Sequence, residues 1–364
     1  MPCRSAYGPI VSDFRNVWFP GVPLALGAAV LFGASTPFSK LLLGSVNPWL
    51  LAGILYLGAG IGLSIFLLVR AAASDATTES PLKLRDLPWL SAVVAAGGVA
   101  GPVLLMFGLS MTDASSASLL LNLEGVATMV IAWIVFRENV DRRLLLGAAA
   151  ILAGAVLLSW SGEGFHLGWG SILIAGACLA WGIDNNLARK LSASDPVQIA
   201  AVKGLVAGAV NTGLAIYMGA PAIAPALAVA GAIIGLFGIG VSLVFFMLGL
   251  RHLGTARTGA YFSMAPFIGA ILSIMMLGDT VTVWLIVAGV LMAVGLWLHL
   301  SERHEHDHVH DELAHEHRHV HDAHHQHEHE GLVTEPHSHV HRHRPMRHKH
   351  PHYPDLHHRH GHSH

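Results

Sequence analysis

The sequence predicts an all-α polytopic membrane protein: ten transmembrane helices as two inverted five-helix repeats, followed by a disordered C-terminal tail. Three observations predict it. The 364 residues are 53% hydrophobic and 12% charged, about half the charged share of a soluble domain. Apolar stretches of about 20 residues, flanked by charges, recur along the body, and a bilayer core takes about 20 helical residues to cross. The body also repeats internally, and each unit holds an odd number of these stretches.

The elements follow in order. Residues 1–19 form an N-terminal segment without the basic-then-apolar layout of a cleaved signal. Span 1, 20–43, is therefore expected to stay as a helix. Span 2 is 47–70 and holds GAGIG at 58–62; small residues let membrane helices approach closely. The longest connection, AAASDATTESPLKLRDL from Ala71 to Leu87, is polar and charged. Spans 3, 4 and 5 are 88–110, 114–136 and 141–160. Spans 6 to 10 are 169–190, 196–218, 226–250, 255–277 and 281–300, with GLFGIG at 235–240 in span 8. Short loops make neighbouring helices antiparallel hairpins. Cys3 and Cys178 cannot form a disulfide framework, and Cys178, mid-helix, reads as a small buried residue.

Lysine and arginine set the orientation. With ten spans, one side holds Arg4, Arg15, Arg70, Lys83, Arg85, Arg137, Arg142, Arg143, Arg189, Lys190, Arg251, Arg257 and Arg303. The other side holds Lys40, near a helix end. Both termini are expected in the cytoplasm, and the chain in the cell inner (plasma) membrane.

The repeat rests on order and spacing. GLSMTDASSASLLLNLEGVATMVIAWIVFRENV from Gly108 aligns without a gap on GLRHLGTARTGAYFSMAPFIGAILSIMMLGDTV from Gly249, an offset of 141. Earlier helices align near an offset of 149, with Gly33 on Gly182. The units are 20–160 and 169–300. A five-helix unit duplicated in tandem enters the membrane from opposite sides, an architecture suited to alternating access around a central site.

Over residues 20–300 the chain resembles the drug/metabolite transporter superfamily, EamA-type. The resemblance is carried by LLLNLEGVATMVIAWIVFRENVDRRLLLGAAAILAGAVLL and its partner YFSMAPFIGAILSIMMLGDTVTVWLIVAGVLMAVGL. The acidic residue closing helices 4 and 9 matches Glu138 and Asp279. The family's mid-helix proline is Pro266 in the second half and is replaced by Gly125 in the first. The resemblance implies secondary transport of small solutes, often export, and leaves the substrate open.

Ionisable residues inside a membrane are costly and mark function. Glu124 lies near the centre of span 4, Asp184 in span 6, Lys203 in span 7, and Lys40 closes span 1. Asp184 and Lys203 lie roughly 9 and 10 Å from the cytoplasmic end of their spans, so this hairpin is expected to pair them at the cavity mouth. A structural bridge is the other reading. Glu124 is the candidate for proton exchange, because desolvation disfavours a charged carboxyl; a neutral Glu holding helices together is the alternative. Asn122 lies about 200° around the helix from Glu124, so both cannot face one spot. Asn185, Asn186 and Asn211 are candidate cavity residues, although Asp184 to Asn186 sweep about 200° and one should face a neighbour. Trp181 and Tyr261 are candidate lining, with aromatic packing the commoner use of such residues. Glu138 and Asp279 read as caps, and His252 as a surface residue.

The tail, 301–364, carries 24 of the chain's 27 histidines, with 11 acidic and 7 basic residues. Its low apolar content cannot build a core. Neutral imidazole suits divalent Ni, Co or Zn. The candidate ligands are His304, His306, His308, His310, His315, His317, His319, His321, His324, His325, His327 and His329. Three readings of the tail stay open: it feeds metal to a metal exporter; it buffers or senses metal, or pH, beside a carrier of organic metabolites or amino acids; or it has no transport role. The leading expectation is efflux of divalent metal by proton exchange. A membrane-anchored metal sensor is a further alternative. No cofactor is required, and no phosphate-cradling loop or nucleophile–base pattern suggests an enzyme. The expected partners are the bilayer and a small solute or metal ion, without nucleic acid; monomer or homodimer stays open.

Overall fold

A computed structural model describes residues 21–73, 82, 84–136, 140–159, 168–191, 194–253 and 255–301, and the backbone of four short tail segments. The expected N-terminal segment, Cys3, Glu138 and basic residues Arg4, Arg15, Lys83, Arg137 and Arg303 lie outside the described residues.

Among the described residues, ten helical spans follow the predicted order. Span 1 is Gly21–Leu43 and span 2 Pro48–Ala72. Span 3 is built from Leu87–Val93, Val94–Ala100 and Gly101–Ser110, and span 4 from Ala114–Leu120 and Leu123–Phe136. Span 5 is Arg142–Leu158, span 6 Trp169–Ala188 and span 7 Pro196–Tyr217. Span 8 joins Pro225–Gly235, Leu236–Val241 and Ser242–Leu253; span 9 joins Thr255–Phe262 and Ala265–Leu277; span 10 is Val283–Leu300. Among the described residues nine are long and apolar enough to cross a membrane. The remaining one, span 5, has 17 residues, at the short end of what a bilayer core accepts. Large apolar side chains such as Leu68, Ile134 and Val283 point outward, as a lipid-facing surface requires.

The contacts have a two-fold pattern. Spans 2 and 7 pack together, as do 5 and 10, and 4 and 9. Span 1 packs on 8 and 9, as span 6 packs on 3 and 4; span 2 packs on 8, as span 7 packs on 3. Exchanging each span with the one five later leaves this set unchanged. Because each unit crosses the membrane five times, the two units run in opposite directions. The sequence pair Gly33 and Gly182 occupies equivalent crossings. A Cβ on Gly33 would sit 2.4 Å from Ala265 O, and one on Gly182 3.0 Å from the Ala127 carbonyl carbon.

The interruptions repeat too. Spans 3 and 8 each contain a π-helical segment, and spans 4 and 9 each break once, 142 residues apart in both cases. Pro266 explains the break in span 9, since it has no N–H and crowds the carbonyl four residues back. Span 4 breaks with Gly125 in place of a proline. There Asn122 Nδ2 donates to Leu119 O at 2.8 Å, a local bond that competes with helical pairing. The turn tightens, with Asn122 N on Leu119 O at 3.1 Å and Glu124 N on Leu121 O at 3.1 Å. Two residue types reach the same bend by different means.

The tail backbone forms two antiparallel pairs, Glu305–His310 with Met346–Pro351 and Leu313–His319 with His337–His343. Two-stranded pairs of this kind are marginal in water without further packing.

Candidate functional site

Pro102 starts the construction of the site. It cannot donate to the Gly98 carbonyl and crowds it, so span 3 widens into a π turn in which Gly101 N–H bonds Ala96 O. Such turns recur at functional sites. The Gly97 and Gly98 carbonyls then take side-chain donors from three other spans. Tyr56 of span 2 donates its hydroxyl to Gly97 O at 2.9 Å, and Trp181 of span 6 its Nε1–H to the same oxygen at 3.0 Å. Asn211 Nδ2 of span 7 donates to Gly98 O at 3.2 Å. Gly97 has no room for a side chain: an added Cβ would lie 2.2 Å from Asp184 Oδ2.

Beside this junction lies a cavity of about 620 Å³ between the two halves, within the usual size of small-molecule sites. One wall is polar. Lys203 of span 7 pairs with Asp184 of span 6, the partner that the hairpin depths assigned to it. Asn185 Nδ2 donates to Glu124 Oε1 of span 4 at 2.9 Å and to Thr128 Oγ1 at 3.2 Å. Thr128 Oγ1 in turn donates to Glu124 O at 2.9 Å. Trp181 completes this wall.

The facing wall is aromatic with hydroxyls. Phe32 of span 1, Phe246 of span 8 and Phe262 of span 9 form a cluster with ring centroids 5.4 Å (Phe32–Phe262) and 4.9 Å (Phe246–Phe262) apart. Ser35, Thr36 and Ser39 lie on the same span as Phe32 and also line the space. The two walls are images under the repeat. Glu124 aligns with Ala265, Asp184 with Ser35, and Trp181 with Phe32.

The other candidates from the sequence lie elsewhere. Asn186 is buried and donates to Thr128 O at 3.0 Å and Gly182 O at 2.8 Å, tying span 6 to span 4. Asn122 turns away toward span 10, 3.9 Å from Met292 Sδ. Asn211 is fully buried against span 3. Lys40 Nζ donates to Leu109 O at 2.6 Å and Thr112 O at 2.8 Å, holding the end of span 3. At the cavity the aromatic of span 9 is Phe262 rather than its neighbour Tyr261. Asp279 Oδ2 accepts from Ser115 N at 2.8 Å and so caps span 4. His252 is exposed. His299, which has no distinguishing sequence pattern, places Nε2 2.9 Å from Leu144 O in the contact between spans 10 and 5.

Among the described residues, no group of three or more His, Cys, Asp or Glu converges on a point. Of the tail candidates, His304, His321, His324, His325, His327 and His329 lie outside the described residues. For His306, His308, His310, His315, His317 and His319 only the backbone is described.

Among the described residues, ten helical spans in two inverted units around a cavity at their interface define a multi-pass membrane transporter. The chain belongs to the EamA-like transporter family, whose model matches it twice, over residues 19–160 and 168–301. It is 26% identical over 298 residues to an uncharacterized transporter of Methanothermobacter thermautotrophicus, covering 78% of this chain and 86% of that one. It is 26% identical over 290 residues to the uncharacterized inner membrane transporter YedA of Escherichia coli, covering 75% and 89%. It is 25% identical over 250 residues to a probable terminal-alkyne amino-acid exporter of Streptantibioticus cattleyicolor, covering 66% and 84%. A solved structure shares the fold at TM-score 0.56 and 17% identity, over 77% of this chain and 96% of that one.

Proposed function

We propose that this chain is a secondary transporter of the cell inner membrane that exports small organic solutes. The observation that carries this reading is the cavity itself: about 620 Å³, with an aromatic wall facing a charged one. That chemistry suits a molecule with an apolar body and a polar end. A bare divalent cation would look for several converging acid or imidazole ligands, which the described residues do not bring together. The amino-acid exporter among its relatives supports an organic solute and outward transport, and the inner membrane relative supports the location.

A second reading, export of Ni, Co or Zn, is supported by the tail's 24 histidines and not by the cavity. The two readings separate in proteoliposomes holding the full chain or residues 1–301. Flux of aromatic and aliphatic metabolites by both forms supports the organic reading. Flux of Ni²⁺, Co²⁺ or Zn²⁺ that needs the tail, with no organic flux, replaces it with the metal reading.

A further inference from the structure

We infer that the solute is an organic ammonium cation: one net positive charge on an apolar body. The inference rests on the organic-solute reading and narrows it. Among the described residues, three charged side chains line the cavity, namely Glu124, Asp184 and Lys203. Lys203 is paired with Asp184. The lining therefore carries one uncompensated negative charge when its acids are ionised, and a low-dielectric enclosure amplifies it.

The hydrogen-bonding groups point the same way. Most donors of the wall are already engaged: Trp181 Nε1 and the Tyr56 hydroxyl on Gly97 O, and Asn185 Nδ2 on Glu124 and Thr128; Lys203 gives one of its three donors to Asp184, which neutralises its charge. Acceptors are left over. Glu124 uses Oε1 alone on Asn185 and keeps its second oxygen as an acceptor, while Asp184 Oδ1, also unpartnered, is closed off from the cavity. A buried acceptor without a donor is costly, and an ammonium group is a donor with no acceptor of its own. Among the described residues, a carboxylate entering the same wall would meet two carboxyls and a lysine already paired with one of them. The rings of Phe32, Phe246 and Phe262 opposite can cover the apolar body.

The test uses the full chain in lipid nanodiscs at pH 7 and four probes of similar size: phenethylammonium, phenethyl alcohol, phenylalanine and phenylpropionate. Calorimetry should show phenethylammonium binding about tenfold tighter than the alcohol, the factor expected from one charge-assisted hydrogen bond. Phenylpropionate should be the weakest, and phenylalanine should fall below the amine. Glu124→Gln should bring amine and alcohol to within about threefold of each other, since the amide keeps a bond to Asn185 but not the charge. The ranking on the unmodified chain stands whether or not the variant folds. If phenylalanine, phenylpropionate or the alcohol binds as tightly as the amine, the cation inference is wrong and the organic-solute reading survives. If none of the four binds, both fall. Survival of the amine preference in Glu124→Gln also overturns the inference.

Discussion

The walls of spans 3, 4, 6 and 7 and of spans 1, 8 and 9 are built on one backbone plan and carry different chemistry. Both have a π segment, a broken helix and a glycine crossing at matched positions. Yet Glu124 faces the cavity where its repeat partner is Ala265, and Asp184 where its partner is Ser35. Duplication supplied the frame twice, while the charged groups occur once. The frame needs symmetry because both halves must pack alike in two opposite-facing states. A single asymmetric solute needs only one wall to hold its polar end, and the other to accommodate its body.

The largest effect should come from splitting the buried pair of the polar wall. Lys203→Met leaves Asp184 without its cation and should lower unfolding stability by about 3–5 kcal/mol. Adding Asp184→Leu should recover most of that loss, while transport stays lost. Chemical denaturation in detergent measures the first part and vesicle flux the second. Full recovery of flux in the double variant would make the pair purely structural.

Next come the matched glycines. Gly97→Ala places a Cβ against the Asp184 carboxylate and should cost about 1–3 kcal/mol with flux reduced. Gly238→Ala, at the equivalent place in span 8, meets the Ser35 Cβ at 2.6 Å, a small side chain free of charge. It should cost less and leave flux closer to normal. Equal effects at the two positions would erase the proposed division of labour.

Trp181→Phe removes the donor to Gly97 O but keeps the ring. It should destabilise by about 0.5–1.5 kcal/mol, the net worth of one hydrogen bond, and Phe32→Leu on the other wall should affect solute affinity more than folding. The smallest effect is expected from truncation after Ser301, which removes the tail without touching the cavity. Organic flux and thermal stability should match the full chain. A collapse of flux would show the tail to be part of the transport path.

Much of this frame was legible in the letters. Apolar runs of bilayer length gave the spans, and equal spacing around Gly108 and Gly249 gave the inverted repeat. The Asp184–Lys203 pair followed from two depths on one hairpin, because a short loop fixes how far each residue lies from the turn. Side-chain direction was harder. Asn122, Asn186, Asn211 and Lys40 are polar in an apolar background, just as Asn185 is, but they satisfy backbone carbonyls, Asn122 within its own span and the other three on neighbouring helices. Which face a residue presents depends on helix rotation, and apolar runs with weak periodicity do not set it. The π turn had a readable cause in Pro102 four residues after Gly98, yet its consequence, carbonyls shared by Tyr56, Trp181 and Asn211, needs the third dimension. The wall of Phe32, Phe246 and Phe262 left no signal, since phenylalanine is unremarkable in any membrane helix.

The most direct test of a solute held between the two walls is cysteine protection. In a Cys3→Ser, Cys178→Ala background, Ala188→Cys reports on the charged wall and Leu243→Cys on the aromatic one; both positions line the cavity. A saturating transported solute should slow maleimide labelling at both positions, and a non-transported analogue at neither. Protection at only one position, or at neither, would contradict a site shared between the two halves.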